Sequence, residues 1–281
     1  MDYYSIPAEK LGTNAKIPLF VGNDPAALFL EAAADMVATI EDGNARGRDT
    51  VLVCPVGPVG QYPEFVRLVN ERGLDMKRTW IINMDEYLDG AGEWIDSRHP
   101  LSFRGFMERE VYGRIRPELL MPESQRLFPD PRCPGSVGET IDRLGGVEVC
   151  YGGIGITGHL AFNEPEDVPV EEFARRPTRV LDIASETRTI NAAGELGGAV
   201  EAMPFRCVTL GMREILGARR IRLYCFRDWH RAVVRRAAYG EKTARFPVTL
   251  LQDHPDAAIF LSANVARSAV PVAFPTGAPK P

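Results

Sequence analysis

No apolar run in this 281-residue chain reaches the roughly 18 residues that suggest a membrane span. The amino terminus, MDYYSIPAEKLG, has no basic region followed by an apolar stretch, so no secretory signal is expected. No two of the five cysteines stand in a C-x-x-C spacing, and the four histidines show no ligand spacing with them. Neither a disulfide framework nor a zinc site is therefore expected. Cys54, Cys150, Cys207 and Cys225 lie inside apolar runs and read as buried free thiols, which suits a cytoplasmic, reducing compartment. An excess of positive charge is also missing. Lys plus Arg is 33 against 38 for Asp plus Glu, a formal net charge of −5, which gives no electrostatic reason to expect nucleic acid. No repeat and no low-complexity linker breaks the chain. At 45% hydrophobic and 25% charged residues, disorder is excluded for the bulk.

Short apolar runs alternate with helical patterns. Strands are predicted at 17–22, 50–57, 79–87, 147–155, 179–183, 206–211, 220–226 and 257–262. Helices are predicted from Asn23 or Asp24, over 61–71 with closure by Gly73, over 101–112, and at 212–218 and 230–240. The arginines of RRAAYG (235–240) read as a solvated helix face, and Trp80 and Trp229 as packing. Apolar strands alternating with helices imply an α/β fold: a single Rossmann-like domain over 1–270, its mostly parallel sheet covered by helices on both faces, with a Pro-rich tail at 271–281.

Ligands of such sheets bind beyond the carboxyl ends of the strands. Three segments are expected to meet there. The first is the glycine-rich GGIGITGHLAFNEP (152–165), in which His159 follows a tight turn and Glu164 stands five residues on. A histidine oriented by a carboxylate moves protons between oxygens, although a structural turn with a buried histidine would read the same. The second is NMDEY (83–87). Adjacent acids at a strand end point to opposite sides, so one of Asp85 and Glu86 can face the cleft as a base while the scaffold holds the other. An exposed acidic loop is the plain alternative. The third is PVGPVGQY (55–62), a strand–loop–helix junction that can offer backbone N–H groups to an anion. It lacks the Lys and Ser/Thr of a P-loop, and a plain connecting turn fits it as well.

NMDEY, HPLSFRGFM (99–107), GHLAFNEP (158–165) and LQDHPDAAIF (251–260), in this order and distance, resemble the glucosamine-6-phosphate deaminase/isomerase family. The resemblance runs from about residue 17 to 265. It implies a sugar isomerase or deaminase that opens the ring, moves a proton from C2 to C1, and needs no metal or organic cofactor. By position, Asp85 matches the family's C2 base and Glu86 its motif neighbour. His159 matches the ring-opening acid/base and Glu164 the carboxylate supporting it. Substrate contacts are expected from Gly57, Val59, Gly60, Gly155, Thr157, Gly158, Arg104 and His230. The partner implied is a small sugar or sugar phosphate, with no nucleic acid and no membrane, in a homo-oligomer.

The departures from the family pattern are specific. Thr157 stands where the family usually has Asp, and Pro58 and Val59 occupy its hydroxyl-bearing phosphate loop. Ala193 and His230 fall where the family carries a phosphate-binding Arg and Lys. The expectation is a retained proton-transfer apparatus with an altered phosphate grip, serving an unphosphorylated or differently charged sugar. Arg104, Arg188, Arg227 and His230 are the residues that could rebuild an anion site. The alternatives are a 6-phosphogluconolactonase-like hydrolase and a catalytically silent sugar sensor. AFNEP after His159 and the NMDEY acids favour the isomerase.

Overall fold

The computed structural model describes residues 3–269, so the tail at 271–281 lies outside the described residues. Among the described residues ten strands form: β1 Leu19–Gly22, β2 Thr50–Cys54, β3 Thr79–Asn83, β4 Asp85–Leu88, β5 Arg126–Leu127, β6 Val149–Gly152, β7 Arg179–Asp182, β8 Arg206–Thr209, β9 Arg220–Cys225 and β10 Ala257–Ser262. The helices are α1 Pro25–Ala45, α2 Gln61–Arg72, α3 Phe103–Glu110, α4 Gly135–Arg143, α5 Val170–Phe173, α6 Ser185–Glu195, α7 Met212–Leu216, α8 His230–Tyr239 and α9 Ala263–Ala266.

Seven strands make one sheet in the order β1-β10-β9-β6-β2-β3-β5, with every pairing parallel. Alternation along each strand divides the core. Val51 and Val53 of β2 join Ile221 and Leu223 of β9 beneath α4, α7 and α8. Leu52 and Cys54 point the other way, into the layer of α1 and α2. This is the α/β sheet covered on both faces that the apolar runs imply. Helix α1 starts where Asp24 accepts a hydrogen bond from the Ala27 N–H at 2.8 Å, with Pro25 in the first turn. Gly73, left-handed at φ 61°, ends α2.

Two expectations need correction. The run 79–87 is not one strand. It splits at Met84, and β4 leaves to pair antiparallel with β8, which also pairs with β7. Strands β4, β8 and β7 thus form a second, three-stranded sheet with its own small core around Tyr87, Phe162, Ala192 and Cys207. Nor is 235–240 a solvated face throughout. Arg235 is fully buried, and its guanidinium is satisfied by the carbonyls of Ile6, Arg231 and Ala266.

The order of the parallel strands places the ligand crevice. From β2 the chain moves outward through β3 to β5; from β6 it moves the opposite way through β9 to β10. The topological switch point therefore lies between β2 and β6, and loops 55–60 and 153–159 flank it. The core around β2 sets its geometry. Leu52→Ala, in a fully buried site, is expected to cost about 2–5 kcal/mol in urea unfolding.

Candidate active site

A cavity of about 480 Å³ opens at this switch point. The three segments singled out in the sequence meet there: Gly57, Val59 and Gly60 from the first loop, Asp85 from the start of β4, and Gly155 and His159 from the glycine turn. The loop is held by the first turn of α2. The Gln61 side chain donates to the Pro58 carbonyl at 2.9 Å, and the Tyr62 hydroxyl donates to that of Pro55.

Asp85 and Glu86 face opposite ways. Asp85 lines the cavity at 7% exposure. Burial, and then the charge of Glu86, push its carboxyl well above the usual carboxylate range, with no hydrogen bond from the described residues to lower it. Glu86 is fully buried and does not line the cavity. It accepts from the Ser102 hydroxyl and the Arg104 N–H, both at 2.9 Å, and from the Phe103 N–H at 3.1 Å. It thereby anchors the start of α3, where the orphan N–H groups of a helix need an acceptor. Glu86, expected among the catalytic groups, thus lies outside the cavity with its oxygens bonded to the start of α3.

His159 is 8% exposed. Its Nδ1 lies 2.9 Å from Thr157 Oγ1, 3.3 Å from Thr187 Oγ1 and 3.2 Å from Glu164 Oε2. The Thr157 hydroxyl donates to the same Glu164 oxygen at 2.9 Å. Surrounded by acceptors, Nδ1 carries a proton, which leaves Nε2 with its lone pair for a ligand. Burial raises the Glu164 carboxyl, but the bonds from His159, Thr187 and Thr157 outweigh it and hold the group below its usual range. Glu164 thus remains an anion beside the imidazole. Thr157 lacks the charge of an aspartate, and Glu164 supplies that charge directly. Gly155 is required by contact, because a Cβ there would fall 1.9 Å from the His159 ring.

Thr157 and Gly158, expected as substrate contacts, do not line the cavity. They stand behind His159, where Gly158 lies against the Phe246 ring. Arg104 is also outside. It bonds the Ile95 carbonyl at 2.9 Å and stacks on Trp94. Arg188 bonds the carbonyls of Val200 and Met203 and covers Phe205. His230 lines the cavity but has no bond to spare. Its Nδ1 accepts from the N–H groups of Phe226 and Arg227, and its Nε2 donates to the Ile154 carbonyl at 3.0 Å. Burial lowers its pKa to about 4, so it is neutral and cannot replace a lysine.

Sequence reasoning missed the α6 wall. Thr187, Asn191 and Glu195 fall four residues apart and so share one helix face. Thr187 meets His159, Asn191 donates to the Tyr87 hydroxyl at 3.2 Å, and Glu195 pairs with Arg227 at 3.8 Å. The spacing of these three residues was the available signal, but α6 itself was not predicted. Trp229, read as packing, belongs to the cavity wall.

No protein-family model matches the sequence. Curated relatives do. The chain is 27% identical over 241 residues to glucosamine-6-phosphate deaminase of Clostridium perfringens strain 13, covering 84% of this chain and 93% of the relative. It is 29% identical over 246 residues to the same-named protein of Bacillus pumilus, covering 85% and 94%. The chain is thus a divergent relative of proteins named glucosamine-6-phosphate deaminase. Its fold is that of a solved monomeric glucosamine-6-phosphate deaminase, with a TM-score of 0.75 at 24% identity over 88% of this chain and 98% of that one. A 6-phosphogluconolactonase from Trypanosoma brucei shares the fold more loosely, with a TM-score of 0.62 at 15% identity over 88% and 97%.

Two stability effects follow from the buried carboxyls. Asp85 has a raised folded-state pKa, so its ionisation destabilises the fold as pH rises through that value. Asp85→Asn is expected to melt higher than the native protein at pH 8, the difference shrinking toward pH 4. Glu164 has a depressed folded-state pKa, so its contribution is present above its ordinary 4.5 and lost as pH falls through the folded value. Glu164→Gln is expected to melt lower at pH 7 and to converge with the native protein at low pH.

Proposed function

We propose that the chain is an aldose–ketose isomerase/deaminase that moves a proton from C2 to C1 of an amino sugar, with an altered phosphate subsite. The observation that carries this reading is the pairing of Asp85, a buried carboxyl without hydrogen bonds among the described residues, with His159, whose Nδ1 is held by Glu164, across one cavity. The relatives named glucosamine-6-phosphate deaminase support it.

In this reaction His159 Nε2 exchanges a proton with the ring oxygen and frees the C1 aldehyde. The Glu164 anion stabilises the imidazolium formed on the way. Asp85 then takes the proton from C2, giving an enolamine, and returns it to C1. The resulting C2 imine adds water and releases ammonia, leaving the ketose. A carboxylate is a weak base for a C–H bond in water. Burial raises the basicity of Asp85 toward the working pH, which is what the step needs. A lactone hydrolase of the same fold would have no use for a C–H base at this position.

The altered grip follows from the charges. Of Arg104, Arg188, Arg227 and His230, only Arg227 is a cation lining the cavity. A hydrogen bond to a charged group contributes about 1.5–3 kcal/mol, so the loss of two such partners weakens phosphate binding substantially.

The test is an assay of ammonia and ketose production from glucosamine, galactosamine and their 6-phosphates. Turnover is expected and should fall about 10²–10⁴-fold in Asp85→Asn. Undiminished turnover in that variant would remove the proposed base. For the native protein, the acidic limb of kcat/KM is expected at a higher pH than an ordinary aspartate would give.

A further inference from the structure

The cavity end formed by loop 57–60, Phe29 and segment 226–230 has features of its own. The Phe29 ring lies against Gly60 at the start of α2, where a Cβ would come within 2.2 Å of it. Phe29 meets Phe226 edge-on at 5.1 Å, and Trp229 packs against His230 at 3.9 Å. Aromatic surface therefore stands beside this helix start and loop. The charged groups at this end are Arg227 and Glu195, both lining the cavity and facing each other at 3.8 Å. Arg227 also lies against the Phe226 ring, 5.7 Å from its centre. Glu195 reaches this position from α6, two turns beyond Thr187.

We infer that this end selects an uncharged hydroxymethyl terminus, so that the substrate is a free hexosamine rather than a hexosamine phosphate. The inference rests on the proton-transfer reading above and specifies its substrate class. Flat aromatic surface suits the C–H face of a sugar. A hydroxyl needs one acceptor and one donor, which Glu195 and Arg227 supply together. A phosphate dianion would meet the Glu195 carboxylate with one partly neutralised cation to offset it, and the like charges would repel. The ion pair is half exposed at the rim, so it contributes little to folding and is free to exchange partners.

Two measurements separate this inference from the reading beneath it. Ligand-induced melting shifts of Asp85→Asn report binding without turnover. Glucosamine or galactosamine is expected to raise its melting temperature more than the matching 6-phosphate or inorganic phosphate. Larger shifts from the phosphates, or none from either free sugar, would overturn the inference. In the native protein, kcat/KM is expected to favour the free sugar, and Glu195→Lys should move the ratio toward the phosphate by at least about tenfold. Turnover that favours the phosphate would defeat the inference and leave the proton transfer standing. Free-sugar binding without turnover would do the reverse. A Glu195→Lys ratio equal to the native one would show that Glu195 does not set the selectivity.

Discussion

At Met84 the chain changes partners, and the site depends on that change. The Met84 N–H still donates to Cys54 of the parallel sheet at 3.2 Å, while its carbonyl accepts from Leu210 beside the antiparallel sheet at 2.7 Å. One residue later the backbone belongs to β4. Asp85 therefore stands at the cavity wall rather than on a β3 that runs on past the sheet. The next residue points back into protein, where Glu86 gathers the free N–H groups at the start of α3. That fixes the pleat on which Asp85 sits. Pre-organisation of this kind lets a buried carboxylate remain without hydrogen bonds of its own, at a cost in stability that the surrounding fold carries.

The histidine side is built on the opposite principle. Asp85 is left bare, whereas His159 is surrounded. Glu164, Thr157 and Thr187 converge on Nδ1 and determine where its proton sits. Pushing one carboxyl up by burial and holding the other down by hydrogen bonds gives two acidic groups different tasks within one site. Thr157 brings no charge of its own; the charge beside the ring is that of Glu164, and the Thr157 hydroxyl links it to the ring. This is a different distribution of the same parts.

Much of this was legible in the sequence, and the exceptions have physical causes. Fully apolar runs such as TVLVC and AAIFLS, buried on both faces, marked the parallel strands. The distinctive NMDEY and GHLAFNEP segments pointed to Asp85 and His159, and both line the cavity. The break at Met84 was hidden, because a strand that changes sheets keeps the same apolar pattern through the change. The roles assigned to Arg104 and His230 were not legible either. A residue type reveals what a group can bind, but not whether neighbouring backbone has already used its donors and acceptors. His230, with both nitrogens occupied, and Arg104, turned to Ile95 and Trp94, show this. Helix α6 escaped notice because SETRTINAAGE is polar on most sides, and its cavity face is a polar one.

The central claim is that Asp85 carries the C2 proton. The most direct measurement follows a deuteron placed at C2 of the amino sugar by NMR as the native protein and Asp85→Asn turn it over. The native protein should remove that deuteron, delivering part of it to C1 of the ketose and part to solvent. Asp85→Asn should leave it at C2. Loss of the C2 deuteron in Asp85→Asn at the native rate would contradict the assignment and move the base elsewhere in the cavity.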